Sequence, residues 1–311
     1  MSKVARLREI YTSKGLSTVL GRIFAFILVD TPLSPYLKNI LGELLHQKLW
    51  IAGKVGYWPH IRNPRAFNEK LLYRKLFTDN SIFAEVEDKY RVREFVTDKV
   101  GDDVLPDLYY VTENPQTIPF DELPLNYVIK PTHLSDSTVI LVDEEDEPDH
   151  NEIIRRCRSW LDRTHGEVRG EYWYKDINPQ IIVEERLTDE THDIPLDYKF
   201  WVFHGEVKSV HVTKHRHSTV EETTRTIYDR DWNAMDVEFI YKKGEPIARP
   251  DQLDKMVQIA ETLGEDFDHI RVDLYAPNDD RVVFGEMTVA ESSGASPFVP
   301  REYDFELGSY W

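Results

Sequence analysis

One cysteine, Cys157, occurs in 311 residues, so no disulfide can close within the chain. It falls at the apolar spacing of an expected helix and reads as core, not as a nucleophile. No basic, apolar, small-residue signal pattern opens the sequence, which makes cytoplasmic residence the default expectation. Long apolar runs are also missing. The longest, residues 23–29, is too short to span a bilayer and reads as buried helix, with membrane contact at most peripheral. Basic residues are outnumbered, 38 Lys and Arg against 56 Asp and Glu, giving a formal net charge of −18. Such a surface repels nucleic acid and argues against a DNA- or RNA-binding role. The acidic excess has no tail to concentrate it and reads as spread along the whole chain, which suits solubility or a salt-adapted cytoplasm.

With 41% hydrophobic and 12% aromatic residues, the chain can bury a core for one large domain or two to three packed lobes. Residues 1–56 read as helical and loosely amphipathic, and the two prolines in 57–64 mark an irregular connector. A single helix is expected from Ser81, a good N-cap, to Gly101, with Ile82, Val86, Tyr90 and Phe95 on one side. The pattern then becomes mixed. Strands are expected at 127–131 and 138–142, around the polar segment 132–137, and at 180–187. A helix carries Ile153, Ile154, Cys157, Trp160 and Leu161 inward. A hairpin about His204-Gly205 joins 197–204 to 206–213. A helix over 251–263 is expected to be capped by Gly264, and a last strand pair, 270–276 and 281–289, to turn at 277–280. Strands and helices do not alternate regularly, so the class is α+β and not a doubly wound sheet.

Candidate chemistry concentrates in the last strand pair. Side chains alternate along a strand, so Arg271 and Asp273 share a face, as do Glu286 and Thr288. Antiparallel pairing can bring both sets together, and two close carboxylates repel unless a cation lies between them. Mg²⁺ suits such a pair, since it takes one or two carboxylates together with substrate phosphates. An ordinary solvent-facing charged strand pair is the competing reading on spacing alone. Lys130 ends a strand before a polar loop in which Ser135, Asp136 and Ser137 can turn backbone N–H groups toward an anion. Lys199 stands in an apolar strand, on the side of Trp201 and opposite Phe200 and Val202. Lys89 by itself reads as a solvated helix charge. Glu184 and Glu185 end an apolar strand, where a carboxylate can accept from a ribose. His211, His215 and His217 cluster, but no third metal ligand is evident by spacing, so they read as exposed strand histidines.

The order Lys89, Lys130, Glu184-Glu185, Lys199, Arg271-x-Asp273, Glu286-x-Thr288, then Ser292-Ser-Gly294, resembles the ATP-grasp superfamily, and within it the TupA-like branch named for teichuronopeptide synthesis. Phe67-Asn-Glu-Lys-Leu71, Asp88-Lys-Tyr-Arg-Val-Arg93, Asp197-Tyr-Lys-Phe200, Arg271-Val-Asp-Leu-Tyr275 and Phe284-Gly-Glu-Met-Thr288 carry the resemblance, which covers most of residues 66–311. It implies two α+β lobes clasping ATP: an N-terminal lobe over 66–126, a lid over 127–190 and a catalytic lobe over 191–311, preceded by a helical extension over 1–65. Lys89 and Lys130 would touch the α- and β-phosphates, with Ser135 and Ser137 in the covering loop. The strand end at Glu184 and Glu185 would take adenine and ribose, and Lys199 the terminal phosphates. Asp273 and Glu286 would hold Mg²⁺, with Thr288 where many members have an asparagine ligand. Arg271 would stabilise charge on an acyl phosphate and a tetrahedral intermediate. The loop after Lys130 also lacks the usual glycines.

The function so implied is an ADP-forming carboxylate–amine ligase, joining an amino acid or peptide to a uronic acid of a surface polysaccharide or its precursor. A phosphotransferase on the same scaffold, a glycosyltransferase using a sugar nucleotide, and a binding module without catalysis are the alternatives. The two lysines well ahead of the carboxylates suit a triphosphate better than a sugar nucleotide. A homo-oligomer is compatible with the sequence.

Overall fold

The computed structural model describes residues 3–135, 138–189, 195–214, 223–277 and 281–311. Ser137, the 278–280 turn, His215 and His217 lie outside the described residues.

The chain opens with three helices, α1 (Lys3–Val29), α2 (Ser34–Leu41) and α3 (Glu43–Val55). Residue 15 of α1 is a glycine at φ 80°, which interrupts the helical backbone there. α1 crosses α3 where Gly21 meets Gly53, so closely that a Cβ on Gly53 would lie 2.4 Å from the Gly21 carbonyl oxygen. Ala25 and Leu28 are buried beside this crossing, against Trp50, Ile51 and Val55. The reading of 23–29 as buried helix holds only for that inner side. Ile23, Phe24, Phe26 and Ile27 are exposed.

Next come α4 (Phe67–Phe77), α5 (Ile82–Glu87) and α6 (Val92–Val100). The single helix expected over 81–101 is thus two, because the Asp88 carboxylate accepts from the backbone N–H groups of Tyr90 and Arg91 at 2.9 and 3.3 Å. An aspartate that bonds the following amides competes with the helical ladder and starts a new helix. Lys89 therefore sits at a corner and not on a continuous helix face.

A four-stranded antiparallel sheet follows, built from β1 (Leu108–Thr112), β2 (Tyr127–Pro131), β3 (Ile140–Val142) and β4 (Ile181–Glu185) in the order β1-β4-β2-β3. Helix α7 (His150–Leu161) brings Ile153, Cys157 and Trp160 to a core shared with Ile129, Ile181 and Val183. Cys157 is fully buried, and burial pushes its thiol up to about 12, which agrees with a core role.

The largest sheet has the order β11-β10-β5-β6-β7-β9. Its members are β5 (Asp197–Phe203), β6 (Glu206–Lys214), β7 (Thr224–Tyr228), β9 (Lys242–Lys243), β10 (His269–Tyr275) and β11 (Val283–Thr288). A short ribbon of β8 (Glu238–Phe239) and β12 (Phe298–Val299) lies beside it, and α9 (Glu302–Tyr310) closes the chain. β5 and β6 turn at His204-Gly205, both at positive φ, the geometry a two-residue hairpin needs. Phe200, Val202, Val210, Val212, Val272 and Leu274 join one core with Met256, Ala260 and Leu263 of α8 (Leu253–Gly264). Gly264 is not a left-handed cap as expected but a contact point: a Cβ there would meet Val202 Cγ1 at 2.5 Å.

The motif Phe67-Asn-Glu-Lys-Leu71 opens α4 and is occupied in holding the fold. The Glu69 carboxylate accepts from the backbone N–H groups of His60, Arg65 and Ala66 at 2.8, 2.8 and 3.1 Å. Asp304 of α9 accepts from the Asn68 backbone N–H at 3.0 Å and from its Nδ2 at 2.9 Å.

Gly264→Ala forces α8 off the sheet, and overpacking of this kind costs about 1–3 kcal/mol. Urea unfolding should report that loss; a variant as stable as the parent contradicts this packing.

Candidate active site

The six-stranded sheet has one apolar face, toward α8, and one polar face. On the polar side the register sets Asp273 between Lys199 of β5 and Glu286 of β11, and Arg271 opposite Thr288. A one-residue bulge interrupts the β10–β11 pair, so that Asp273 faces Glu286 while Leu274 faces Phe284. The extra residue is Gly285, where a Cβ would lie 2.7 Å from the Tyr275 ring and 3.2 Å from the Asp273 carbonyl oxygen. The bulge sets Glu286 opposite Asp273.

Arg271 is the hub. Its Nε and Nη2 donate to the two Asp273 oxygens at 2.6 and 2.8 Å, Nη2 also reaches Glu286 Oε1 at 2.5 Å, and Nη1 donates to Glu291. Burial works against the charge on Arg271, but Asp273, Glu286 and Asp197 outweigh it and hold the pKa above its ordinary value. Lys199 Nζ lies 2.8 Å from Asp197 and also pairs with Asp273. Lys199, Asp197, Asp273 and Arg271 are all buried. The competing reading of a wet, charged strand face is therefore excluded for these residues. Glu286 is the accessible member, its side chain 37% exposed. Thr288 is half-buried and lines the same cavity.

Opposite stand Lys89 and Lys130. Lys89 Nζ donates to the Leu134 carbonyl at 2.6 Å; burial lowers its pKa, Glu286 opposes that fall and Lys130 adds to it. Lys130 is paired with Glu184 from the same side of the four-stranded sheet. Glu185 is turned elsewhere and bound by both Arg281 Nη groups at 2.5 and 2.7 Å, so of the two carboxylates only Glu184 lies with Lys130. Ser135 Oγ is 2.9 Å from His165 Nε2.

Two adjoining chambers occupy the cleft between the sheets. One has an apolar lining of Val128, Leu141, Tyr275 and Phe284, edged by charges that include Lys130, Glu184, Glu185 and Arg186. The other is polar and holds Ser135, Lys199, Arg271, Thr288, Arg225 and Ser292. Lys89, Gly285 and Glu286 line both. The structure thus gathers Lys89, Lys130, Ser135, Glu184, Lys199, Arg271, Glu286 and Thr288 around one cleft, with Asp273 buried behind Arg271 and Lys199 and Glu185 at the rim on Arg281.

Among the described residues no group of three or more His, Cys, Asp and Glu side chains is arranged to hold a metal ion. Asp273 and Glu286 are opposite each other in the register, a carboxylate pair of the kind Mg²⁺ takes together with water and phosphate oxygens; Glu286 is open to the polar chamber, whereas the Asp273 oxygens are held by Arg271 and Lys199. His211 corrects the exposed-histidine expectation. It is fully buried and stacked on Trp201 with ring centroids 4.4 Å apart, and burial followed by Arg225 and Arg271 drives its pKa well down, leaving it neutral.

Several site residues escaped the sequence reading. Asp197 was detectable, since it lies two positions before Lys199 and so on its strand face. Arg225 belongs to β7, a strand with no expected counterpart. Glu291 directly precedes the Ser292-Ser-Gly294 segment that the sequence marked, where Ser292 and Ser293 both take positive φ. Glu87 was hidden in the expected helix. It is buried, and accepts from Tyr174 Oη at 2.7 Å and from the Val289 N–H at 2.8 Å.

A family model, TupA-like ATPgrasp, matches residues 69–311. The chain belongs to the TupA-like ATP-grasp family. Its α+β fold is the ATP-grasp fold. No curated protein sequence matches it. Among solved structures, D-alanine–D-alanine ligase from Bacillus anthracis is similar at 15% identity and a TM-score of 0.41, over 67% of this chain and 58% of that one. This ATP-grasp chain therefore spans little more than half of that ligase. The ATP-grasp ligase PsnB, complexed with a phosphomimetic variant of its minimal precursor, Mg and ADP, is similar at 10% identity and a TM-score of 0.40, over 90% of this chain and 74% of that one. D-cycloserine synthetase DcsG is similar at 12% identity and a TM-score of 0.40, over 74% and 70%.

Burial pushes the Glu87 carboxyl from 4.5 up to about 7, against the pull of its two hydrogen bonds, and Glu171 and Glu286 add to the rise. A carboxyl held more tightly protonated when folded stabilises below its unfolded pKa, and that stability is lost as pH rises through the folded value. Between pH 4.5 and about 7, Glu87→Gln should therefore gain on the parent by roughly 3 kcal/mol, since each tenfold change in proton affinity is worth about 1.36 kcal/mol. Urea titrations across that range measure it, and a gap that does not move with pH contradicts the assignment.

Proposed function

We propose that this ATP-grasp protein binds Mg²⁺-ATP in the cleft between its two sheets and activates a carboxylate as an acyl phosphate for attack by an amine. The observation that carries this reading is the convergence of Lys89 and Lys130 from one side, and Lys199, Arg271 and Glu286 from the other, on chambers that share Lys89 and Glu286.

The apolar slot between Val128, Leu141 and Phe284 suits an adenine, with Glu184 placed to accept from the ribose. Lys130 now pairs with Glu184, and a nucleotide phosphate is a competing partner of greater charge. Lys89 and Lys130 take the α- and β-phosphates, and Lys199 the terminal one. Asp273 and Glu286 hold Mg²⁺, which when bound neutralises phosphate charge during transfer. Arg271, already fixed by three carboxylates, offers a preorganised guanidinium to the charge that develops at the acyl centre. Arg225 and Ser292 also line the polar chamber, in which the carboxylate and the amine would meet the terminal phosphate. For the substrates, membership of the family supports an amino acid or peptide joined to a uronic acid of a surface polysaccharide or its precursor.

Glu286 is the side chain to change, because its exposure keeps the cost to the fold low. Removing Arg271 instead would strand buried carboxylates and cost about 3–5 kcal/mol of stability. Mg²⁺-ATP at a hundredfold over Kd should stabilise the parent by about 2.7 kcal/mol, and Glu286→Gln should lose most of that gain. Thermal melting with ATP, ADP and UDP-sugars tests it. No ATP shift, or a shift with UDP-sugars alone, overturns the proposal.

A further inference from the structure

The acidic excess is not spread along the whole chain. Residues 1–65 hold ten Lys and Arg against three Asp and Glu, a net charge of +7, while the remaining 246 residues hold 28 against 53, a net charge of −25. The basic part also holds most of the large apolar side chains that are exposed among the described residues. On α1, Leu16, Leu20, Ile23 and Ile27 are exposed, at 58%, 56%, 39% and 37%. Their spacing of four, three and four residues makes one continuous helix face. The opposite face, Gly21, Ala25 and Leu28, is the one spent on α3. α1 is thus apolar on both sides yet covered on only one.

α2 and the residue before it expose apolar side chains in the same way. Leu33, Tyr36 and Ile40 are exposed at 57%, 69% and 79%, and Leu44, Leu45 and Trp58 follow in the next elements. Lys48 lies over the Trp58 ring at 4.5 Å, an amphipathic pair of the kind that sits well at a lipid–water boundary. Among the described residues no single helix is long and apolar enough to cross a membrane. The segments Gly15–Val29 and Ser34–Leu41 meet that standard only together, and they are bent by 96°. Such a bend, together with the tight Gly21–Gly53 crossing that fixes one side of α1, favours lying on a surface over spanning it. An apolar helix face flanked by Lys and Arg binds an anionic lipid surface through both forces at once.

We propose that the outward face of α1 and α2 docks this protein on an anionic lipid bilayer, with the acidic body held away from it. A bilayer accounts for both features: anionic headgroups complement the basic segment and repel the rest, and the boundary takes up the apolar stripe. The proposal is independent of the nucleotide reading, since it uses no residue of the cleft.

Co-sedimentation of the full chain with phosphatidylcholine vesicles, with and without phosphatidylglycerol, tests it. Binding should require the anionic lipid and weaken as salt is added. The double variant Leu20→Glu, Ile40→Glu alters two exposed positions. It should bind about tenfold more weakly or worse, with its melting temperature and its Mg²⁺-ATP shift unchanged. Three results would each overturn the proposal: no binding to either vesicle, equal binding to both, or equal binding by the double variant. So would a concentration-dependent dimer that the double variant disperses in the absence of lipid binding, which would assign the face to a second copy of the chain.

Discussion

Everything in the cleft depends on a buried guanidinium. Arg271 stands at the centre of the polar sheet face and is held by Asp273, Glu286 and Glu291, while Lys199 holds Asp273 from the neighbouring strand and Asp197 from its own. Burying such charges costs several kcal/mol per ion, and well-packed apolar residues would often be as stable or more so. The sheet keeps the network at the one place where a phosphate-rich ligand would find both cations and carboxylates fixed in advance. Positioning without reorganisation is the main contribution a protein can make to phosphoryl transfer.

The surroundings exist to hold that network in place. The bulge at Gly285 turns Glu286 toward Asp273. Arg74 of α4 donates to the Val289 carbonyl at 2.6 Å and to the His269 carbonyl at 2.9 Å, tying the two strands of the site to a helix of the preceding segment. Lys75 donates to the carbonyls of Arg169 and Ser293, both at 2.8 Å, and to Gln47 of α3 at 3.3 Å. One buried lysine therefore joins the N-terminal helices, the segment before β4 and the loop after β11.

Much of this was legible in the sequence because it follows from alternation. Arg271 with Asp273, Glu286 with Thr288, and Lys199 with Trp201 share faces by counting twos, and the structure has them so. The His204-Gly205 hairpin and the strand at Tyr127–Pro131 follow from turn chemistry and β-branched content. What was not legible depends on contacts between distant segments. The break at Asp88 is one side chain outbidding a helix pattern for two amides. The role of Gly264 is set by Val202, a residue far away in the chain. The exposed side of α1 looks in the sequence like its buried side, because both are apolar, and only the absence of a neighbour separates them. Arg225 sits in a segment whose local pattern announces neither a site nor a strand.

The most direct measurement is photolabelling with 8-azido-ATP and Mg²⁺, followed by mapping of the modified peptides. Labels should fall on the segments that line the apolar slot, around Val128, Leu141, Glu184 or Tyr275, and ATP should compete them away. Labelling confined to other segments, or labelling that ATP does not displace, would contradict a nucleotide held between the two sheets.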